Sequence, residues 1–160
     1  MFQYDGGAWQ NVCVFGTCKV EGETITGASN LRAFNNNFCA LLTSVSLITR
    51  ISCFDHGTWT TPVRRYDISS DGTEITSLNS FDVNRKGDIA LIANTSFGGP
   101  NVFLKTTEGF LTVQAAPFPS EEGNYLLNVN SVDLRDDRRV FFIAQDSFGR
   151  MVAYAADPLF

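Results

Sequence analysis

The chain reads as all-β, built from about three four-stranded antiparallel units of roughly 50 residues each. Three observations predict this. First, the sequence repeats itself. Gly22-Glu23-Thr24-Ile25-Thr26 returns as Gly72-Thr73-Glu74-Ile75-Thr76, and more loosely as Gly123-Asn124-Tyr125-Leu126-Leu127. Asn79-Ser80-Phe81-Asp82-Val83 returns as Asn130-Ser131-Val132-Asp133-Leu134, and Tyr4, Phe54, Leu104 and Tyr154 follow one another at 50-residue steps. Second, 14 Phe and 13 Gly, with many Thr, Val and Ile, favour strands and turns. Third, almost no window carries the apolar stripe of a helix.

Each unit opens on a short alternating strand, Glu74 to Leu78 or Tyr125 to Val129, after Gly72 or Gly123 at a turn. Asn-Ser-x-Asp-x and a polar turn follow: Asn35-Asn36-Asn37, Arg85-Lys86-Gly87 or Asp136-Asp137-Arg138. Asn37 and Gly87 hold the place of a positive φ, where Arg138 is an exception. Then come nearly continuous apolar strands, Phe38 to Leu42, Ile89 to Ala93 and Val140 to Ala144, expected to be buried on both faces. A further strand, Arg50 to Phe54, Val102 to Lys105 or Met151 to Ala155, leads into a hairpin such as Phe54-Asp55-His56-Gly57-Thr58-Trp59. A more polar strand closes the unit: Asn11 to Phe15, Pro62 to Tyr66 or Leu111 to Ala115. Pro62 suggests a sheet edge. The unit boundaries fall at 1–21 (partial), 22–71, 72–122 and 123–160.

Four antiparallel strands graded from buried to polar describe a propeller blade. Asn84-Arg85-Lys86-Gly87-Asp88-Ile89-Ala90-Leu91-Ile92-Ala93 resembles the inner-strand signature of bacterial β-propeller-like tandem-repeat proteins, many of them exported or surface-anchored. Tyr4-Asp5-Gly6-Gly7-Ala8-Trp9 is similar to their outer hairpins. The resemblance implies an architecture and a mostly non-catalytic module. It does not imply an activity. Three units are too few to close a ring of ~4–8 blades. Strand sharing with a second copy, or membership of a longer array, would complete one. A β-trefoil is the alternative, although it has no use for the thirteenth strand that the repeat phase predicts.

The 160 residues suffice for one ordinary core. A net charge of -5 argues against nucleic acid and anionic membranes as partners. No apolar run reaches the ~18 residues of a membrane span. Met1 to Gly7 has neither a basic region nor an apolar stretch, so no signal peptide is expected within the chain.

Cys13, Cys18, Cys39 and Cys53 fall in the first third of the chain. Cys39 and Cys53 stand nearly symmetrically about a turn near Ser46, and Cys13 and Cys18 flank Val14-Phe15-Gly16-Thr17. Free buried thiols are one reading. Two local disulfides, each stabilising by about 2 kcal/mol and implying an oxidising compartment, are the other. The spacings match no standard zinc site.

Candidate chemistry is sparse. His56 is the single histidine and sits in a turn, so no Ser-His-Asp or Cys-His set can be assembled. Ser52 to Trp59 resembles the Asp-box turn of sialidase-type propellers, with different spacing, and that turn is structural. Asp5, Asp71, Asp136 and Asp137 lie in turns without the alternation of a calcium loop. Arg135-Asp136-Asp137-Arg138-Arg139 reads as a solvated turn, and Arg64-Arg65 as edge-strand protection. Trp9 and Trp59 occupy equivalent places, with Phe110 or Leu111 third and Phe160 fourth. They are candidates for stacking on a sugar ring or for packing between sheets.

The expected function is a non-catalytic structural or protein-interaction module, binding a protein partner or itself through open sheet edges. No cofactor and no metal is expected, and the expected setting is extracellular or the cell envelope. A carbohydrate-binding propeller or trefoil using Trp9 and Trp59 is the alternative. A hydrolase drawing on Asp55, His56 and Asp136 has the least support.

Overall fold

Apolar runs separated by tight turns give fifteen strands, and no helix, among the described residues. The structure is a computed structural model that describes residues 1–5, 8–114, 118–119 and 125–157. The chain divides into two compact units, Met1–Arg64 and Arg65–Phe160.

In the first unit, β1 (Phe2–Asp5) and β2 (Ala8–Asn11) form a hairpin with Tyr4 opposite Trp9. A five-stranded antiparallel meander follows: β3 (Lys19–Val20), β4 (Glu23–Phe34), β5 (Asn37–Ser44), β6 (Thr49–Asp55) and β7 (Thr58–Arg64). Three of its connections are two-residue loops with both φ values positive: Glu21-Gly22, Asn35-Asn36 and His56-Gly57. That geometry matches the right-handed twist of the strands it joins. Positive φ therefore falls on Asn35 and Asn36, while Asn37 already belongs to β5.

The strand expected at Asn11 to Phe15 ends at Asn11. Beyond it the chain turns tightly at Gly16, with Cys18 N–H donating to Val14 O at 2.9 Å. Cys13 pairs with Cys18 and Cys39 with Cys53, both at disulfide distance. Cys39 and Cys53 are direct cross-strand partners with Cα atoms 3.9 Å apart. Cys13 joins Val20, Ile25, Ala40 and Leu42 in a buried cluster under Met1, Cys18 and Trp59.

Cys39 is fully buried and Cys18 only partly so. A mild reductant is therefore expected to open Cys13–Cys18 first. Loops of 5 and 14 residues place the cost of reduction at about 2 and about 3 kcal/mol on the chain-entropy model. Urea unfolding with and without reductant, read beside alkylation mass, checks both the order and the size. Simultaneous opening would contradict the burial argument.

Arg50 and Arg64 face each other on β6 and β7, an unfavourable pairing of like charges. Glu23 sits 2.7 Å from Arg50, and Glu21 ion-pairs with Arg64, which neutralises it. Hydrogen bonds from Ser44 and Ser46, with Arg50 beside it, hold the Glu23 carboxyl below its ordinary value.

The second unit contains two four-stranded antiparallel sheets. One holds β8 (Ile75–Val83), β9 (Ile89–Thr95), β10 (Pro100–Lys105) and β11 (Phe110–Gln114). The other holds β12 (Phe118–Pro119), β13 (Tyr125–Leu134), β14 (Val140–Asp146) and β15 (Met151–Ala156). Asn-Ser-x-Asp-x lies inside β8 and β13, beyond a bulge, rather than after the strand.

The three meanders share their irregularities. β4, β8 and β13 each shift register twice against the next strand, first after Ile25, Ile75 and Leu126 and then after Ser29, Leu78 and Val129. Ile25, Ile75 and Leu126 face Ser44, Thr95 and Asp146 in turn. Val45, Ser96 and Ser147 donate backbone N–H groups to Thr24, Glu74 and Tyr125. Bulges bend and twist a strand, so β4, β8 and β13 each bend at the two places where their register shifts.

Strand pairing places Phe54, Lys105 and Ala156 opposite Phe38, Ile89 and Val140. Leu104 and Tyr154 are thus displaced by one and two places from the register of Phe54. Phe54, Lys105 and Ala156 follow one another at 51-residue steps, so the 50-residue step of that series is not the structural step.

The two sheets of the second unit pack face to face, as sheets do when each must bury one apolar side. Ala90, Ile92, Val102 and Leu104 from the first meet Leu126, Val129, Val132, Leu134, Val140, Phe142 and Ala144 from the second. A polar strap closes the turn end. Asp82 accepts the Leu134 N–H at 2.9 Å, Asn84 Nδ2 donates to Arg135 O at 3.2 Å, and Arg138 Nε reaches Asp88 at 3.1 Å. Arg138 takes a φ of 70°, costly for a side chain other than glycine, and its two carboxylate partners Asp88 and Glu108 oppose that cost. The cluster Arg135 to Arg139 is therefore an inter-sheet clamp in part, and not only a solvated turn.

Candidate functional site

A strand is buried on both faces only where other parts of the chain cover both. Ile89 to Ala93 of β9 are buried throughout, as are Phe38 to Leu42 of β5. Val140 to Ala144 of β14 are not. Val140, Phe142 and Ala144 point into the core, while Phe141 and Ile143 are 37% and 40% exposed. The expectation of two-sided burial fails there. The outward face of this sheet carries Phe141 and Ile143 with Ala155 and Ala153 directly opposite, and Gln145 paired with Met151. Tyr125 and Leu127 at the start of β13 are exposed too. Six exposed large apolar side chains lie within described strands; Leu31 is one, and the other five are Tyr125, Leu127, Phe141, Ile143 and Met151. Contiguous exposed apolar surface of this kind marks an interaction site more often than scattered single residues do.

Two further aromatic rings project from turns. Ser96-Phe97-Gly98 and Ser147-Phe148-Gly149 form matching β9–β10 and β14–β15 turns, with Phe97 84% and Phe148 73% exposed. This triplet recurs in the sequence at a 51-residue step and was a legible signal. Asp146 fixes the second turn, accepting N–H groups from Phe148 and Arg150 and pairing with the Arg150 guanidinium at 2.7 Å. Burial would raise the Asp146 carboxyl, but these hydrogen bonds prevail and hold it below its ordinary value.

A cleft of about 350 Å³ lies in the second unit, lined by Ser70, Asp71, Leu111, Thr112, Val113, Ala156 and Asp157. Beside it, buried Ser69 Oγ sits 2.5 Å from Asp71 Oδ1, 3.1 Å from Thr73 O and 3.1 Å from Thr112 Oγ1. Partial burial raises the Asp71 carboxyl, yet hydrogen bonds from Ser69, Thr112 and Thr73 outweigh it and lower the value. Ser69 gives its one proton to a carboxylate or carbonyl and has no imidazole neighbour. The arrangement locks the turn and does not generate a nucleophile.

The remaining sequence candidates are dispersed. Trp59 is half-buried, 5.2 Å from the Phe54 ring and edge-on to Phe38 at 5.6 Å. It packs within the core of the first unit, and by strand pairing its counterpart is Phe110 rather than Leu111. Trp9 pairs with Tyr4 through the backbone, and its side chain lies outside the described residues, as do Phe160, Gly123 and Asn124. Asp5 ends β1, paired with Ala8. His56 is exposed in its hairpin and hydrogen-bonded to Asp55. Asp136 accepts the Arg85 N–H and Asp137 the Arg139 N–H. Arg64 pairs with Glu21, and Arg65 lies 4.7 Å over the Tyr66 ring. Among the described residues no three His, Cys, Asp or Glu side chains converge as a metal site.

No protein-family model matches the chain, and neither the curated proteins nor the solved structures include a match to it.

Proposed function

We propose that this protein is a non-catalytic structural or interaction module of propeller-like repeats, and that its working surface is the outward face of the β12–β15 sheet. The observation that carries this reading is the exposure of Phe141 and Ile143 on a strand whose equivalent, β9, is buried on both sides. The shared bulge pattern of the three meanders supports blades of one type. The two cysteine pairs at disulfide distance support an oxidising compartment, extracellular or at the cell envelope.

Hydroxyl-radical footprinting tests the surface. The assembly isolated from the source cells is compared with the purified chain at about 1 µM. Phe141, Ile143 and Met151 are expected to be protected in the assembly and reactive in the dilute chain. Equal reactivity of these three in both samples would remove the reading.

A further inference from the structure

We infer that the occupant of the β12–β15 outer face is the same face of a second copy of this chain, giving a closed two-fold dimer. This rests on the interaction reading above and names its partner.

The face is built to receive a sheet. In the β8–β11 sheet, Ala90, Ile92, Val102 and Leu104 are the residues that bury against the following sheet. Strand pairing gives their counterparts in the β12–β15 sheet as Phe141, Ile143, Ala153 and Ala155. Asp82, which accepts a backbone N–H from the docked sheet, has Asp133 as its counterpart, opposite Phe141 and exposed. The same positions that take a sheet once in this chain stand open the second time.

What a second copy can offer limits the answer. The opposite faces of the meanders are already buried, through Ile25, Ala40 and Leu42, through Ile75, Phe81 and Leu91, and through Leu126, Val132 and Phe142. Among the described residues, the one sheet face with a row of exposed large apolar side chains is this one. A second copy therefore covers it with its own equivalent, an isologous contact that closes at two chains. The rim does not oppose self-pairing. Asp133 and Arg135, whose guanidinium lies 6.0 Å from the Phe141 ring, carry opposite charges. The identical faces thus meet without net like-charge repulsion at that end, although the chain as a whole carries -5.

The size of the face sets the affinity. Three strands ~4.8 Å apart and about six residues long cover on the order of 300 Å² per copy. That is well under the ~800 Å² per partner of a standard interface, so a weak dimer that dissociates on dilution is expected.

The test is light scattering of the purified, non-reduced chain from about 1 to about 500 µM. The expected result is a mass that rises from one chain to two and stops there. Phe141→Asp is expected to weaken the dimer at least about tenfold at unchanged circular dichroism, and Ile143→Lys serves the same purpose should that variant not fold. Peroxide oxidation of Met151 in the wild type is expected to slow over the same concentration range. A chain that stays monomeric to about 500 µM would overturn the dimer. In that case, protection of Phe141 in the native assembly would still uphold the interaction reading. A dimer that survives both substitutions, or a mass that climbs past two, would overturn the isologous contact.

Discussion

Phe142→Ala is expected to destabilise the second unit by about 3–5 kcal/mol, while Phe141→Ala, one residue away, costs under about 1 kcal/mol. The two side chains are the same, sit on the same strand and differ only in the face they take. Phe142 is 4% exposed and stacks on Tyr154, with ring centroids 5.5 Å apart and planes 20° apart. It also packs among the residues shared by the two sheets, so truncation removes transfer energy and leaves a cavity. Phe141 has water on its outer side and loses little of either kind. Urea unfolding at about 1 µM, where the chain is expected to be monomeric, checks the pair. Similar costs for both would mean that the outer face is covered and would remove the surface on which the functional reading depends. A loss of this size is at least as large as the contribution expected from either disulfide of the first unit, so the second unit gains from sheet stacking what the first gains in part from cross-links.

The second large effect is expected at Asn84. Its Oδ1 accepts the N–H groups of Lys86 at 2.9 Å and Asp88 at 3.0 Å. Its Nδ2 donates to Asp88 Oδ2 at 3.1 Å and, across to the other sheet, to Arg135 O at 3.2 Å. The residue is buried. Asn84→Ala therefore leaves two N–H groups, a carboxylate and a carbonyl each short of a partner, with those of Asp88 buried. Unmet polar groups of this kind cost about 1–3 kcal/mol each when water cannot replace the partner. Some relaxation is expected, so a total loss of about 2–4 kcal/mol follows. Arg85→Ala in the same turn is the control. Its side chain is 81% exposed and 3.8 Å from Asp136, a surface pair worth under about 1 kcal/mol. If Asn84→Ala proved as mild as Arg85→Ala in urea unfolding, the strap between sheets would carry no weight and apolar packing alone would hold them.

Both sites lie at the limit of what sequence reading reaches. Turn chemistry was legible because it is local. His56-Gly57 and Gly87 take positive φ where their residue types suggested it, and the antiparallel order follows from hairpins of two to a few residues. Cys39 and Cys53 flank a hairpin, so their cross-strand pairing is also a near-neighbour property. The strand ends were less legible. Nothing in Asn11 to Phe15 announces that the Met1 carbonyl will take the N–H groups of both Val12 and Cys13, at 2.9 and 3.3 Å. The clamp at Arg135 to Arg139 was hidden for the same reason: its partners Asn84, Arg85, Asp88 and Glu108 lie 30 or more residues away.

The candidate surface marks the sharpest division. Ile89 to Ala93 and Val140 to Ala144 are equally apolar runs, and the sequence alone determined that both are strands. It also determined their all-β setting and their turns, and it offered local cysteine pairing as one of two readings, because propensity, periodicity and hairpin closure act within a few residues. Only the tertiary structure decided that one run is buried on both faces and the other on one. Apolarity is a property of the side chain, whereas burial depends on whether a second sheet lies above it. That sheet is supplied by residues distant in the chain, or by another molecule.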